Sequence, residues 1–159
     1  MIIEFKAIGV IHTPFDTIEG MPIQPTGAVG ARGTVEVLTE YGDGLQDLDG
    51  FSHIILLYHF HQSGRSKLIV EPFLDNAPHG VFATRAPSRP NAIGLSTVKL
   101  IGIEGCRLLV ENIDVLDATP LLDIKPYVPE FDHHPADRIG WLARARGAAK
   151  RHKSDKRFG

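Results

Sequence analysis

The chain has 159 residues and is 43% apolar, which suits one domain with a real core. No apolar run approaches the ~18 residues of a membrane span, and MIIEFKAIGVIHTPF lacks the basic start and small-residue cleavage site of a signal peptide. The formal net charge of −2 conceals an acidic body, residues 1–137, and a basic end, residues 138–159. In that end Arg138, Arg144, Arg146, Lys150, Arg151, Lys153, Lys156 and Arg157 face one acid, Asp155. Cys106 is the single cysteine, so no intrachain disulfide forms and a reducing, cytoplasmic setting is expected.

In chain order, short segments rich in β-branched and aromatic residues predict strands over Ile2–Val10, Gly33–Leu38, Ser52–Phe60, Leu68–Glu71, Gly94–Ile103 and Arg107–Asp114. TEYGDGLQDLDGF suits one short helix with Leu45 and Leu48 inward. HIILLYHF, within the third segment, is apolar on both faces, as in a strand buried between layers. Glu104-Gly105-Cys106 joins the last two strands as a hairpin loop. Residues 113–132 hold three prolines and read as loop. Pro135 to about Ala149 reads as a longer helix, with Ile139 and Leu142 as its apolar face and Trp141 beside them. The expectation is a mainly β protein: one β-barrel-like domain over residues 1–137 with short helices, then a basic C-terminal helix or tail over 138–159. Such a tail suits a polyanion such as RNA, and equally a solvated terminus.

Neither GxGxxG nor GxxxxGK[ST] occurs, which argues against a Rossmann-type site and a P-loop. His59 and His61 share a face if their strand is regular, and His133-His134 follow Asp132. No third ligand stands at a diagnostic spacing, so no metal is expected. Ser52-His53 lacks the GxSxG elbow of a hydrolase. Two stiffened segments remain. In ATRAPSRPNAIG, residues 83–94, Pro87 and Pro90 fix the chain around Arg85 and Arg89, which suit fork-like contacts to carboxylate or phosphate. In IDVLDATPLLDIKPYVPEFD, residues 113–132, Asp114, Asp117, Asp123 and Lys125 stand with Thr119 and Tyr127. These opposed charges either pair with each other or build a site.

GVFATRAPSRPNAIGLSTVKL and LDATPLLDIKPYVPEFD resemble the TsaA-like family, whose characterised branch is the TrmO tRNA methyltransferases. IGVIHTPF, IQPTGAVGARGTVEV and LDGFSHIILLYHFHQ extend the likeness over residues 5–132. The resemblance implies a β-barrel methyltransferase that works as a cytoplasmic homodimer. It would use S-adenosyl-L-methionine to methylate N6 of threonylcarbamoyl-adenosine beside the anticodon of threonine tRNA. Carried over by motif, cofactor contacts fall on Gln24, Pro25, Thr26, His61, Gln62, Arg89, Asp117, Ala118, Thr119 and Pro120. Arg85 and Asn91 are assigned to substrate, and Arg144, Arg146, Lys150 and Arg151 to RNA. Two positions depart from the pattern: Ala92 stands for the usual Pro, and Ala118 for the usual Gly, which matters if that backbone needs φ > 0. Bacterial members carry a second domain associated with tRNA use; the basic end would take its place, unless the substrate differs or a partner supplies those contacts.

Methyl transfer from a sulfonium is an in-line displacement, in which positioning carries much of the rate. A urea-type N6 is a poor nucleophile until its proton is taken. Asp123 and Tyr127 are the candidates for base or relay, and Lys125 for the electrostatic partner of the substrate. The alternatives are a non-catalytic cofactor- or RNA-binding module, or a methyltransferase for a different small substrate.

Overall fold

In a computed structural model the described residues are 1–145 and 148–158. Arg146, assigned to RNA above, lies outside them. Six strands close a barrel in the order β1 (Gly9–His12), β2 (Arg32–Val37), β7 (Arg107–Glu111), β6 (Ile93–Glu104), β3 (His53–His59) and β8 (Thr119–Pro126), with β8 returning to β1. Every neighbouring pair is antiparallel. The other two strands, β4 (Ile69–Val70) and β5 (His79–Gly80), form a separate ribbon.

Alternation builds the core. Ile54, Leu56 and Tyr58 point inward from β3, as do Ser96 and Val98 from β6; Ile11, Val35, Leu108, Val110 and Leu121 complete the filling. Because a strand has a period of two, Ile55 and Leu57 face outward with Leu95 and Thr97, their register partners on β6. Asp123 and Lys125 pair opposite Leu57 and Ile55, so β8 carries them on that same outer face.

Three expectations are corrected. Residues 119–126 form a strand rather than a loop, because Pro120 and Pro126 sit at its ends, where the missing N–H is tolerated. The first strand starts only at Gly9; Met1–Phe5 have no register partner, and Ile2, Ile3 and Phe5 stay exposed. The long C-terminal helix is absent from the described residues. Gly140 has φ of +59° and opens a short 3-10 turn, Gly140–Ala145, and the one α-helix described, α1 (Pro129–Asp132), is a single turn. The predicted helix in TEYGDGLQDLDGF is likewise two 3-10 turns, Thr39–Leu45 and Leu48–Gly50, which still bury Leu48.

The basic end is a docked strap rather than a free tail. Ser154 exchanges backbone hydrogen bonds with Gly20 and Met21, and its hydroxyl donates to the Ile18 carbonyl. Gly64 N–H donates to Phe158 O at 3.1 Å, and the Phe158 ring packs with Val70, Val81, Ala86 and Phe73 in a second core. Arg157 donates to Pro72 O at 2.9 Å and lies over the Phe73 ring.

Candidate active site

A cavity of about 770 Å³ opens at the barrel end where β3 finishes and β6 and β8 begin. That size is normal for a nucleotide-sized small molecule. The end of β3 supplies Tyr58, Phe60, His61 and Gln62; the start of β6 supplies Ile93, Gly94 and Leu95; the start of β8 supplies Thr119. The Arg85 loop closes one side, residues 18–24 another, and the strap a third through Trp141, Leu142, Ser154 and Phe158.

The loop works differently from its sequence reading. Arg89 Nη1 donates to the Thr84 and Ala86 carbonyls at 3.1 and 3.2 Å, so this guanidinium closes its own turn from within, although it still lines the cavity. Arg85 is the exposed member, held only by Gln24 Oε1 at 3.1 Å. Asn91 is exposed and does not line the cavity.

His61 stands just beyond β3. The Thr119 hydroxyl donates to Leu116 O at 2.7 Å and therefore accepts from His61 Nδ1–H at 3.3 Å, which assigns the tautomer and leaves Nε2 as an acceptor. Burial, helped by His59, lowers the His61 pKa, so the ring is neutral at neutral pH.

The buried polar group of the cavity is Asp114, which is only 9% exposed. Ser96 Oγ donates to Asp114 Oδ1 at 2.6 Å, and since Ser96 has spent its proton there, Tyr58 O–H donates to Ser96 at 2.9 Å. Burial pushes the Asp114 carboxyl up to about 6, and burial raises the Tyr58 phenol as well. Sequence reasoning placed Asp114 in a charged segment but gave it no role. The available signal was one acid inside the apolar run Ile113–Leu116, where burial forces it to be hydrogen-bonded.

Among the cofactor candidates, Gln24, His61, Gln62, Arg89 and Thr119 come together at the cavity. Pro25, Thr26, Asp117, Ala118 and Pro120 do not line it, although each is within two residues of a residue that does. Asp117 is held by Thr13 N–H at 2.9 Å and lies 3.5 Å from His12, and these donors hold its carboxyl below the ordinary range. Asp123, Lys125 and Tyr127 do not line the cavity. Lys125 stands six positions beyond Thr119 on β8, about 20 Å along the strand. Its ammonium pairs with Asp123 at 2.7 Å, and Tyr127 packs edge-on against His53 at the far end of β3. Within one copy of the chain these three cannot serve the cavity. The Ser52–His53 contact, at 2.9 Å, lies at that far end too. Arg144, Lys150 and Arg151 are exposed on the strap, and among the described residues none is ion-paired.

Comparisons with known proteins agree with this layout. The profile of the tRNA-methyltransferase O N-terminal domain matches residues 10–133. A Pyrococcus abyssi protein named as a probable S-adenosyl-L-methionine-binding protein is 49% identical over 99% of this chain and 86% of its own length. The human tRNA (adenine(37)-N6)-methyltransferase is 36% identical over 80% of this chain, which spans only 30% of that enzyme. The crystal structure of TrmO from Pseudomonas aeruginosa superposes with a TM-score of 0.75 at 42% identity, covering 89% of this chain and 63% of that one. On fold, cavity and sequence together, the chain belongs to the tRNA-methyltransferase O N-terminal domain family.

Proposed function

We propose that the protein is an S-adenosyl-L-methionine-dependent tRNA (adenine-N6)-methyltransferase, acting on threonylcarbamoyl-adenosine beside the anticodon of threonine tRNA. The observation that carries this reading is a single cavity with flat apolar walls, a guanidinium and a buried carboxylate. Phe60, Phe73, Phe82 and Leu116 offer surfaces for a purine, and Gln24, His61 and Arg85 offer groups that fix its polar edges. When bound, the cofactor supplies an electrophilic methyl group on a sulfonium. The chain's own work is then to orient, to exclude water and to take a proton. The strap residues Trp141 and Leu142 cover one side of the cavity, and His61 Nε2 is an acceptor on its wall. Exposed Arg144, Lys150 and Arg151 on the same strap suit phosphates of an RNA whose base enters beside them.

The homodimer belongs to the same proposal. Ile93 and Leu95, 38% and 49% exposed, lie on the cavity rim and continue into the outer apolar face of β3. Asp123 and Lys125 stand on that face, so a second copy docked there would bring its Asp123, Lys125 and Tyr127 towards the first copy's cavity. That is how these residues would act as relay and electrostatic partner. The setting proposed is the cytoplasm; no helix among the described residues is long and apolar enough to cross a membrane.

The test is calorimetric titration of S-adenosylhomocysteine, followed by methyl transfer to threonine tRNA with and without the threonylcarbamoyl group. Micromolar binding and turnover on the modified tRNA alone support the reading. Binding without turnover on either tRNA would reduce the protein to a cofactor-binding module.

A further inference from the structure

We infer that Asp114 and Arg85 together form a subsite for an α-amino-acid zwitterion, with Asp114 taking the ammonium and Arg85 the carboxylate. The inference rests on the cofactor reading of the cavity and assigns the amino-acid end of that ligand to two residues outside the family-derived contact set. Both side chains line one cavity, and they are close enough for the guanidinium charge to favour the Asp114 anion, yet they are not ion-paired. A cavity that keeps an unneutralised acid and a cation apart is complementary to a ligand carrying both signs a few ångströms apart.

The anchoring of the two differs in a way that fits the assignment. Asp114 is oriented by a chain of donors through the barrel interior, Tyr58 from β3 to Ser96 from β6 to Asp114, so its carboxylate is fixed before a ligand arrives. Arg85 projects from the proline-bounded loop and is steadied by Gln24 alone, so its remaining donors are free for a carboxylate fork. Arg89 is excluded from the role, because its Nη1 is committed to two carbonyls of its own loop. The titratable and charged groups facing Asp114 are Tyr58 from β3 and Arg85 from the loop, with His61 on the same cavity wall. The elevated carboxyl adds a signature: an ammonium seated against it restores the anion, so binding near pH 6 releases a proton.

The experiment compares S-adenosylhomocysteine with 5′-methylthioadenosine, which keeps the nucleoside and thioether but lacks the zwitterion. Calorimetry at pH 6 in two buffers of different ionisation enthalpy reads affinity and proton exchange together. The expectation is that wild type binds S-adenosylhomocysteine at least tenfold more tightly and releases a fraction of a proton. Asp114→Asn and Arg85→Gln should each remove most of that gap, about tenfold or more for a charge-assisted contact. Both should leave methylthioadenosine affinity within about twofold, and Asp114→Asn should abolish the proton release. Equal wild-type affinities, or variants that weaken both ligands alike, overturn the subsite while the cofactor reading stands. Failure of folded wild type to bind either ligand overturns both.

Discussion

Trp141 donates its indole N–H to the Ala83 carbonyl at 2.8 Å and stacks on His79 with ring centroids 4.6 Å apart, which fastens the basic strap to the edge of the Arg85 loop. The strap is thus both a wall of the cavity and a carrier of exposed positive charge. A chain ending at residue 143 would lose Ser154 and Phe158 and with them the pins to Met21 and to the second core. It should therefore lose cavity ligand and RNA together rather than RNA alone. Trp141→Ala is milder: loss of one hydrogen bond and one stacking contact should cost on the order of 1–2 kcal/mol of stability. The same variant should weaken S-adenosylhomocysteine several-fold. Urea denaturation and calorimetry check both, and a truncated chain that keeps full ligand affinity would show that the strap is no wall.

The Ser96–Asp114 hydrogen bond carries a stability cost whose pH dependence has a definite sign. The unfolded chain releases the Asp114 proton near pH 4, whereas burial in the folded protein delays release to about 6. Between those values the folded state holds more protons, so this group lowers stability as pH rises through the window, and the full cost persists above it. Asp114→Asn, which keeps the Ser96 contact without charge, should be more stable than wild type at pH 7.5 by on the order of 2 kcal/mol. Near pH 4 the two should match. Taking the difference between the proteins cancels Asp75, Asp117 and Asp155, whose lowered values act in the opposite direction. Denaturation curves at the two pH values decide it; a variant less stable at both would contradict the buried, elevated carboxyl.

Much of the barrel was legible because its signals are local. HIILLYHF reads as a doubly covered strand from composition, and Gly105, at φ of +62°, marks the β6–β7 turn. β8 was not legible, since Pro120 and Pro126 look like breakers unless their positions at the strand ends are known. The strap was misread for the opposite reason: its Ala-rich stretch has helical propensity, but contacts with residues 18–22 and 64–73 override it. The cavity residues inherited from motif resemblance were half legible. Motif proximity grouped Asp123 and Lys125 with Thr119, yet a strand separates such neighbours by about 3.3 Å per residue, and six positions carry Lys125 to the other end of the barrel.

That separation makes the shared-site dimer testable in trans. Lys125→Ala should bind S-adenosylhomocysteine as wild type does, because the side chain does not line its own cavity, and yet should lose turnover by tenfold or more. Arg85→Gln should bind poorly but keep an intact Lys125. Mixing the two inactive proteins under conditions that allow subunit exchange should restore up to about a quarter of wild-type activity, in heterodimers with one intact site. No recovery, with exchange verified by mass spectrometry, would place Lys125 outside the reaction.

Ala118 offers a test of backbone strain at the site's edge. It has φ of +59° where its relatives' motif, as read from the sequence, carries Gly. A Cβ in the left-handed region costs about 1–2 kcal/mol, and Gly returns part of that through the greater freedom of the unfolded chain. Ala118→Gly should therefore stabilise the protein by roughly 0.5–1 kcal/mol. The strained residue joins Asp117, which caps Thr13, to Thr119, which fixes the His61 ring. Relief of strain without displacement of either neighbour should leave ligand affinity unchanged, so denaturation and calorimetry on one variant separate the two effects. If Ala118→Gly is instead destabilising, the left-handed conformation at this position is wrong, and with it the placement of Thr119 against His61.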